Sequence, residues 1–164
     1  MTSTMHSTIP AGYTTVTPWI ISSDTDALLK FLAEAFGGTP LGRMTGPDGA
    51  VIHAEMRIGD AVIMAFDAPE GVPPQPAYIR LYVPDARVGF ARAIQAGGVE
   101  VTKPTLLAFG DRVARIRDPL GNIWWLQQHI EDVSEDEQSR RWNDPAWSEP
   151  MAYVQNSLAH ALRG

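Results

Sequence analysis

His53, Glu55 and Arg57 alternate in the stretch His-Ala-Glu-Met-Arg, which has the period of a strand, so the three side chains share one face. A histidine beside a carboxylate can orient and move a proton, or supply two ligands to a metal ion, which makes His53 and Glu55 the candidates for catalysis. The same spacing also fits a polar ladder against a neighbouring strand, which involves no chemistry. Aromatic and polar residues alternate in three further places: Thr17, Trp19 and Ile21; Tyr78, Arg80 and Tyr82; and Ile123, Trp125, Gln127 and His129. Val113, Arg115 and Arg117 form a similar set. Indole and phenol rings can stack on a planar ligand, and Arg80 or Arg115 can meet a carboxylate or phosphate. Each has a plainer alternative: the aromatics as core residues with a satisfied polar edge, and Arg80 in an internal ion pair. His129 ends a strand beside an acidic segment and reads as a partly exposed residue, while His6 and His160 are assigned no role.

Other chemistries are excluded by what the chain lacks. It has no cysteine, hence no thiol nucleophile, zinc-thiolate site or disulfide. Gly37-Gly38 and Gly97-Gly98 follow helices, where glycine acts as a stop, whereas phosphate loops precede one. No Gly-x-Ser-x-Gly elbow is present. A formal net charge of -6 argues against nucleic acid and anionic membranes as partners, and a small molecule is the more natural ligand. The apolar runs are far shorter than the roughly 20 residues of a membrane-spanning helix. Residues 1–12 carry no signal-peptide pattern and read as a disordered tail, so cytoplasmic residence is expected.

These residues must be positioned by a repeated unit. Tyr13 to Ser22 reads as a strand interrupted by Pro18, and Ala27, Leu28, Phe31, Leu32, Ala35 and Phe36 recur at helical spacing after a cap at Ser23 or Asp24. Strands follow over Thr39 to Thr45, Ala50 to Ile58 and Ala61 to Asp67. Four prolines in 68–76 mark a connector. The order then repeats: strand Ala77 to Val83, helix Asp85 to Ala96, and strands Val99 to Leu107, Arg112 to Arg117 and Ile123 to His129. Asp26-Ala27 and Phe31 correspond to Asp85-Ala86 and Phe90, and Val51 and Gly59 to Val113 and Gly121. The predicted class is α+β, with two tandem βαβββ modules (13–67 and 77–132) whose curved mixed sheets face one another around a cleft. A helical extension over 133–164 follows, with a capping box at Ser134 and Glu137. Its last helix starts at Ser148-Glu149-Pro150 and carries the stripe Met151, Val154, Leu158 and Ala161 or Leu162, which must dock on the domain or on a second subunit.

The duplication, together with Gly110-Asp111-Arg112-Val113 and the run from Arg117-Asp118-Pro119-Leu120-Gly121-Asn122 to Trp125, resembles the vicinal oxygen chelate superfamily of glyoxalases, bleomycin-resistance proteins and extradiol dioxygenases. Within it, the stretch from His53 to Asp60 is most similar to the glyoxalase-like proteins called PhnB-like. The resemblance implies that the alternating faces above line the cleft, with Val16, Ile20, Ile79 and Leu81 packing beneath the helices. It also implies four metal-ligand positions, occupied here by Thr17, Ile63 or Met64, Tyr78 and Trp125. None of these is a plausible primary ligand for a divalent ion. The expectation is therefore a metal-independent protein without cofactor that binds an aromatic or amphipathic small molecule through Thr17, Trp19, Tyr78, Arg80, Tyr82, Arg115, Trp125 and Gln127. The alternative is a glyoxalase-like lyase or isomerase using His53 and Glu55 or relocated metal ligands. Pairing as a homodimer is expected under either reading.

Overall fold

A computed structural model describes residues 8–163. The first module runs β1 (Trp19–Ser22), α1 (Thr25–Phe36), β2 (Thr39–Thr45), β3 (Val51–Ile58) and β4 (Ala61–Asp67). The second runs β5 (Tyr78–Tyr82), α2 (Ala86–Gln95), β6 (Val99–Leu106), β7 (Asp111–Arg117) and β8 (Ile123–His129), followed by α3 (Glu135–Trp142) and α4 (Pro145–Arg163). Each module forms one four-stranded mixed sheet, ordered β1-β4-β3-β2 and β5-β8-β7-β6, in which the strand before the helix pairs in parallel with the last strand. The tandem βαβββ architecture with a helical extension is present as predicted.

Local chemistry sets the helix ends. The Asp24 carboxylate accepts from Ala27 N–H at 2.9 Å, and Asp85 accepts from Arg87 and Val88. The capping aspartates are thus Asp24 and Asp85, which corrects the pairing of Asp26 with Asp85; Asp26 instead binds Arg43. Gly37 ends α1 at φ +68°, where its N–H and that of Gly38 reach the carbonyls of Ala33 and Leu32.

The modules meet through α1 and α2 and share one core. Ile20, Met56, Ile63 and Ala65 pack with Leu28, Phe31, Leu32 and Ala35, and the same cluster continues into Ala93, Ile116 and Trp124. Phe36 of α1 lies 5.2 Å from the Trp124 ring of the second module, so the joint between the halves is aromatic.

Two boundaries depart furthest from expectation. β1 starts only at Trp19, because Pro18 has no N–H to give; its carbonyl accepts from Met64 N–H. Alternation therefore does not extend back to Val16, which is 73% exposed rather than packed beneath a helix. α4 starts at Pro145, not at Ser148: Asp144 caps Ala146 N–H, and proline suits the first helical position. Part of the predicted tail, residues 1–7 with His6, lies outside the described residues; beyond it, the Gly12 carbonyl accepts from Arg57 at 2.8 Å. The proline-rich connector runs beside β1, where Gln75 N–H donates to the Ile21 carbonyl.

The Asp-Pro-Leu-Gly-Asn turn owes its residue types to one buried carboxylate. Asp118 Oδ1 accepts from the N–H groups of Leu120 and Asn122, and Oδ2 accepts from the Asn122 amide at 2.7 Å and the Trp124 indole at 2.8 Å. Asn122 Oδ1 then accepts from Ala77 N–H, which ties the turn to the entrance of β5. Gly121 supplies the φ of +94° that the turn requires.

Candidate functional site

Strand register assembles the site. Arg80 pairs with Trp125, Trp125 with Arg115 and Arg115 with Thr102, which places one row of side chains across β5, β8, β7 and β6. The row beside it contains Tyr78, Ile123 and Arg117. Both rows lie on the face opposite α2, and α4 packs on that face. Val154 fills a small core with Leu107 and Val113, flanked by Phe109, Trp125 and Met151. Arg115 Nη1 donates to the Val154 carbonyl at 2.8 Å, Arg117 to the Ala161 carbonyl, and Thr102 is hydrogen-bonded to Ser157. The apolar stripe of the last helix therefore folds over its own module.

Between sheet and helix lies a cavity of about 590 Å³, lined by Tyr78, Arg80, Arg115, Ile123 and Trp125 from below and Leu158 and Leu162 from above, with Ile79 at its edge. Both guanidinium groups lie on the Trp125 ring, Arg115 at 3.7 Å and Arg80 at 4.4 Å from its centre. The indole thus supports two arginines and is not the free stacking surface expected of it. Arg115 is 2% exposed, and burial, with the charge of Arg80 adding to it, lowers its pKa to about 10, so it stays protonated at neutral pH. Among the described residues no carboxylate lies within ion-pair distance of Arg80, which overturns the internal ion pair considered for it.

The other candidate residues lie elsewhere. Trp19 is 64% exposed on the first sheet, donates to the Met64 sulfur at 2.8 Å and meets Phe66 edge-on; Thr17 precedes the same strand. Tyr82 lines a separate cavity of about 630 Å³ between the β3–β4 hairpin, α1 and α2, which Arg80 also reaches. Gln127 is buried, and its amide donates to Asp111. Tyr78, Arg80, Arg115 and Trp125 are brought together as a group; Thr17, Trp19, Tyr82 and Gln127 do not line their cavity. Leu158 and Leu162 were visible as a helical stripe, but their partner was not.

His53 Nε2 lies 3.1 Å from Glu55 Oε1, and the Tyr13 hydroxyl donates to Oε2. The strand neighbours of His53 and Glu55 are Met44, Gly42 and Met64, so the polar contacts run along β3 and to Tyr13, not across the sheet as a ladder. The Tyr13 hydrogen bond, with His53 adding to it, holds the Glu55 carboxyl below its ordinary range. That makes it a weak proton acceptor, and both its oxygens are already engaged.

The end of β8 carries a separate acid–histidine cluster. His129 Nδ1 lies 2.7 Å from Asp111 and Nε2 3.1 Å from Asp132. These carboxylates, Asp111 first, raise the His129 pKa. A raised folded-state value means that the stabilisation is complete below the unfolded pKa of about 6.5 and is lost as pH rises through the folded value. His129→Gln is accordingly expected to lower the melting temperature at about pH 5.5 and to have little effect at about pH 8.5. Equal losses at both pH values would contradict this.

A family model described as the glyoxalase/bleomycin resistance protein/dioxygenase superfamily matches residues 12–126. The chain belongs to that superfamily. An uncharacterized protein of Mycobacterium bovis is 33% identical over 133 residues, covering 74% of this chain and 88% of the relative. Among solved structures, TioX from Micromonospora sp. ML1 superposes with a TM-score of 0.62 at 22% identity, covering 71% of this chain and 99% of its own. Glyoxalase I from Zea mays superposes with a TM-score of 0.58 at 19% identity, covering 70% of this chain and 44% of its own.

The residues at the superfamily's metal positions do not fit a divalent ion. Ile63 is buried in the helix-side core, the Met64 sulfur is engaged by Trp19, and Thr17, Tyr78 and Trp125 offer a hydroxyl, a phenol and an indole. Nor is any group of three His, Asp or Glu side chains among the described residues arranged to hold a metal ion.

Proposed function

We propose that this protein binds an amphipathic small molecule, without a metal ion, in the cavity between the second sheet and α4. The observation that carries the reading is the cavity itself. At about 590 Å³ it has the volume of small-molecule sites, and it combines an apolar roof and floor with two fixed polar groups. Superfamily membership, which includes bleomycin-resistance proteins, supports sequestration as the form of action. Pairing of two copies belongs to the same reading: the first sheet leaves Trp19 and Met44 more than half exposed on a face that a second copy would cover.

One preparation tests all three parts. Elemental analysis is expected to give a metal-to-protein ratio near zero, and sedimentation equilibrium twice the chain mass. The neutral fluorescent probe N-phenyl-1-naphthylamine is expected to bind with one dominant site. Trp125→Ala should weaken that binding by about tenfold, the equivalent of ~1.4 kcal/mol, while Trp19→Ala leaves it unchanged. Should Trp125→Ala fold poorly, Leu158→Gln on the roof serves instead. Equal effects at Trp125 and Trp19, or none at either lining position, would place the ligand elsewhere.

A further inference from the structure

We infer that the ligand is an organic anion, its carboxylate or sulfonate head held by Arg80 and Arg115 across Trp125 and its apolar body lying against Ile123, Leu158 and Leu162. The inference rests on the cavity being the ligand site, and it adds the charge of the ligand.

Three observations point the same way. Two guanidinium groups share one indole, and an anion between or beside them would relieve the repulsion of their like charges. The chain has acids to spare, 19 Asp and Glu against 13 Lys and Arg, and elsewhere it uses them: Arg43 binds Asp26, and Arg141 binds Glu131 and Glu137. No described carboxylate makes an ion pair with Arg80 or Arg115. Finally, the buried Arg115 is only partly satisfied. Its Nη1 donates to Thr102 and to the Val154 carbonyl, while its Nε, like the Trp125 indole nitrogen, has no acceptor among the described residues. Buried donors of this kind are normally paired, so the protein leaves the Arg115 charge uncompensated and an anion in the adjoining cavity would offset it.

The rest of the lining restricts the head to one. The cavity offers a single cationic end, and its other walls are the neutral phenol of Tyr78 and the aliphatic side chains of Ile79, Ile123, Leu158 and Leu162, which provide no partner for a second charge. A nucleotide, with its several charges and polar base, is poorly matched, whereas an aromatic or aliphatic acid presents one anionic end and an apolar body.

The test compares two probes with the same aromatic body, 1-anilinonaphthalene-8-sulfonate and the uncharged N-phenyl-1-naphthylamine, titrated into the full chain by fluorescence. The sulfonate is expected to bind at least about tenfold more tightly. Arg80→Met should abolish most of that preference by weakening the sulfonate far more than the neutral probe; Arg80 is exposed and makes no ion pair among the described residues, so this variant is expected to fold. Arg80→Lys should retain part of the preference. Equal binding of the two probes by the wild-type protein, or an undiminished preference in Arg80→Met, would overturn the inference and leave the cavity reading standing. Failure of both probes to bind would overturn the cavity reading and this inference with it.

Discussion

Trp124→Ala is expected to lower the unfolding free energy by about 4 kcal/mol, among the largest effects of any single substitution in this chain. Trp124 is fully buried, packs against Phe36 of the other module, and donates its indole N–H to Asp118. Truncation would leave a cavity at the joint between the halves, where no flexible surface segment can collapse into it. At roughly 3 °C per kcal/mol for a chain of this size, the melting temperature should fall by about 12 °C. Urea denaturation followed by circular dichroism measures this directly. A loss under about 1.5 kcal/mol would mean that the two modules do not depend on this contact. Trp124→Phe, which retains most of the ring volume and loses the N–H, should cost less than half as much.

Asp118→Ala should cost about 3 kcal/mol despite removing far less volume. One carboxylate satisfies two backbone N–H groups, the Asn122 amide and the Trp124 indole, and all four donors lose their acceptor at once. The penalty is mainly desolvation of groups left unpaired, so Asp118→Asn, which can still accept through its carbonyl oxygen, should restore part of it. Because Asp118 and Trp124 share a hydrogen bond, the double substitution should cost less than the sum of the singles by about 1 kcal/mol. Strict additivity in a denaturation cycle would show that the indole N–H contributes nothing to the turn.

Neither position lines the cavity, unlike Trp125. Trp124 and Trp125 are adjacent in sequence, yet the pleat of β8 sends one into the helix-side core and the other to the arginine row. Measured loss of stability without change of specificity at Trp124, and the reverse at Trp125, would separate the two faces functionally.

What the sequence determined by itself was local. Alternation located β2, β4 and β8 with the boundaries observed, helical spacing located α1, and caps at Ser23 or Asp24 and at Ser134 were legible because a capping side chain binds N–H groups only two or three residues away. The duplication was legible for a related reason: equivalent strands in equivalent modules require the same pattern of turn and core residues. The alternating faces of β5, β7 and β8 also correctly placed Arg80, Arg115 and Trp125 on one surface.

The tertiary structure alone decided how those surfaces are used. Whether Arg80 stands beside Trp125 depends on the register of β5 with β8, a parallel pair formed only after α2, β6 and β7 have intervened, and no local pattern encodes it. Whether α4 covers its own module depends on Arg115 and Arg117 finding helix carbonyls some forty residues along the chain, contacts that an amphipathic stripe permits but does not specify. The same holds for Glu55, whose fastening by Tyr13 comes from a residue forty-two positions earlier that reads only as the start of a strand. Periodicity is a property of neighbours along the chain. The proposed ligand site is a property of neighbours across it, assembled where one buried and one exposed arginine, an indole and a returning helix come together.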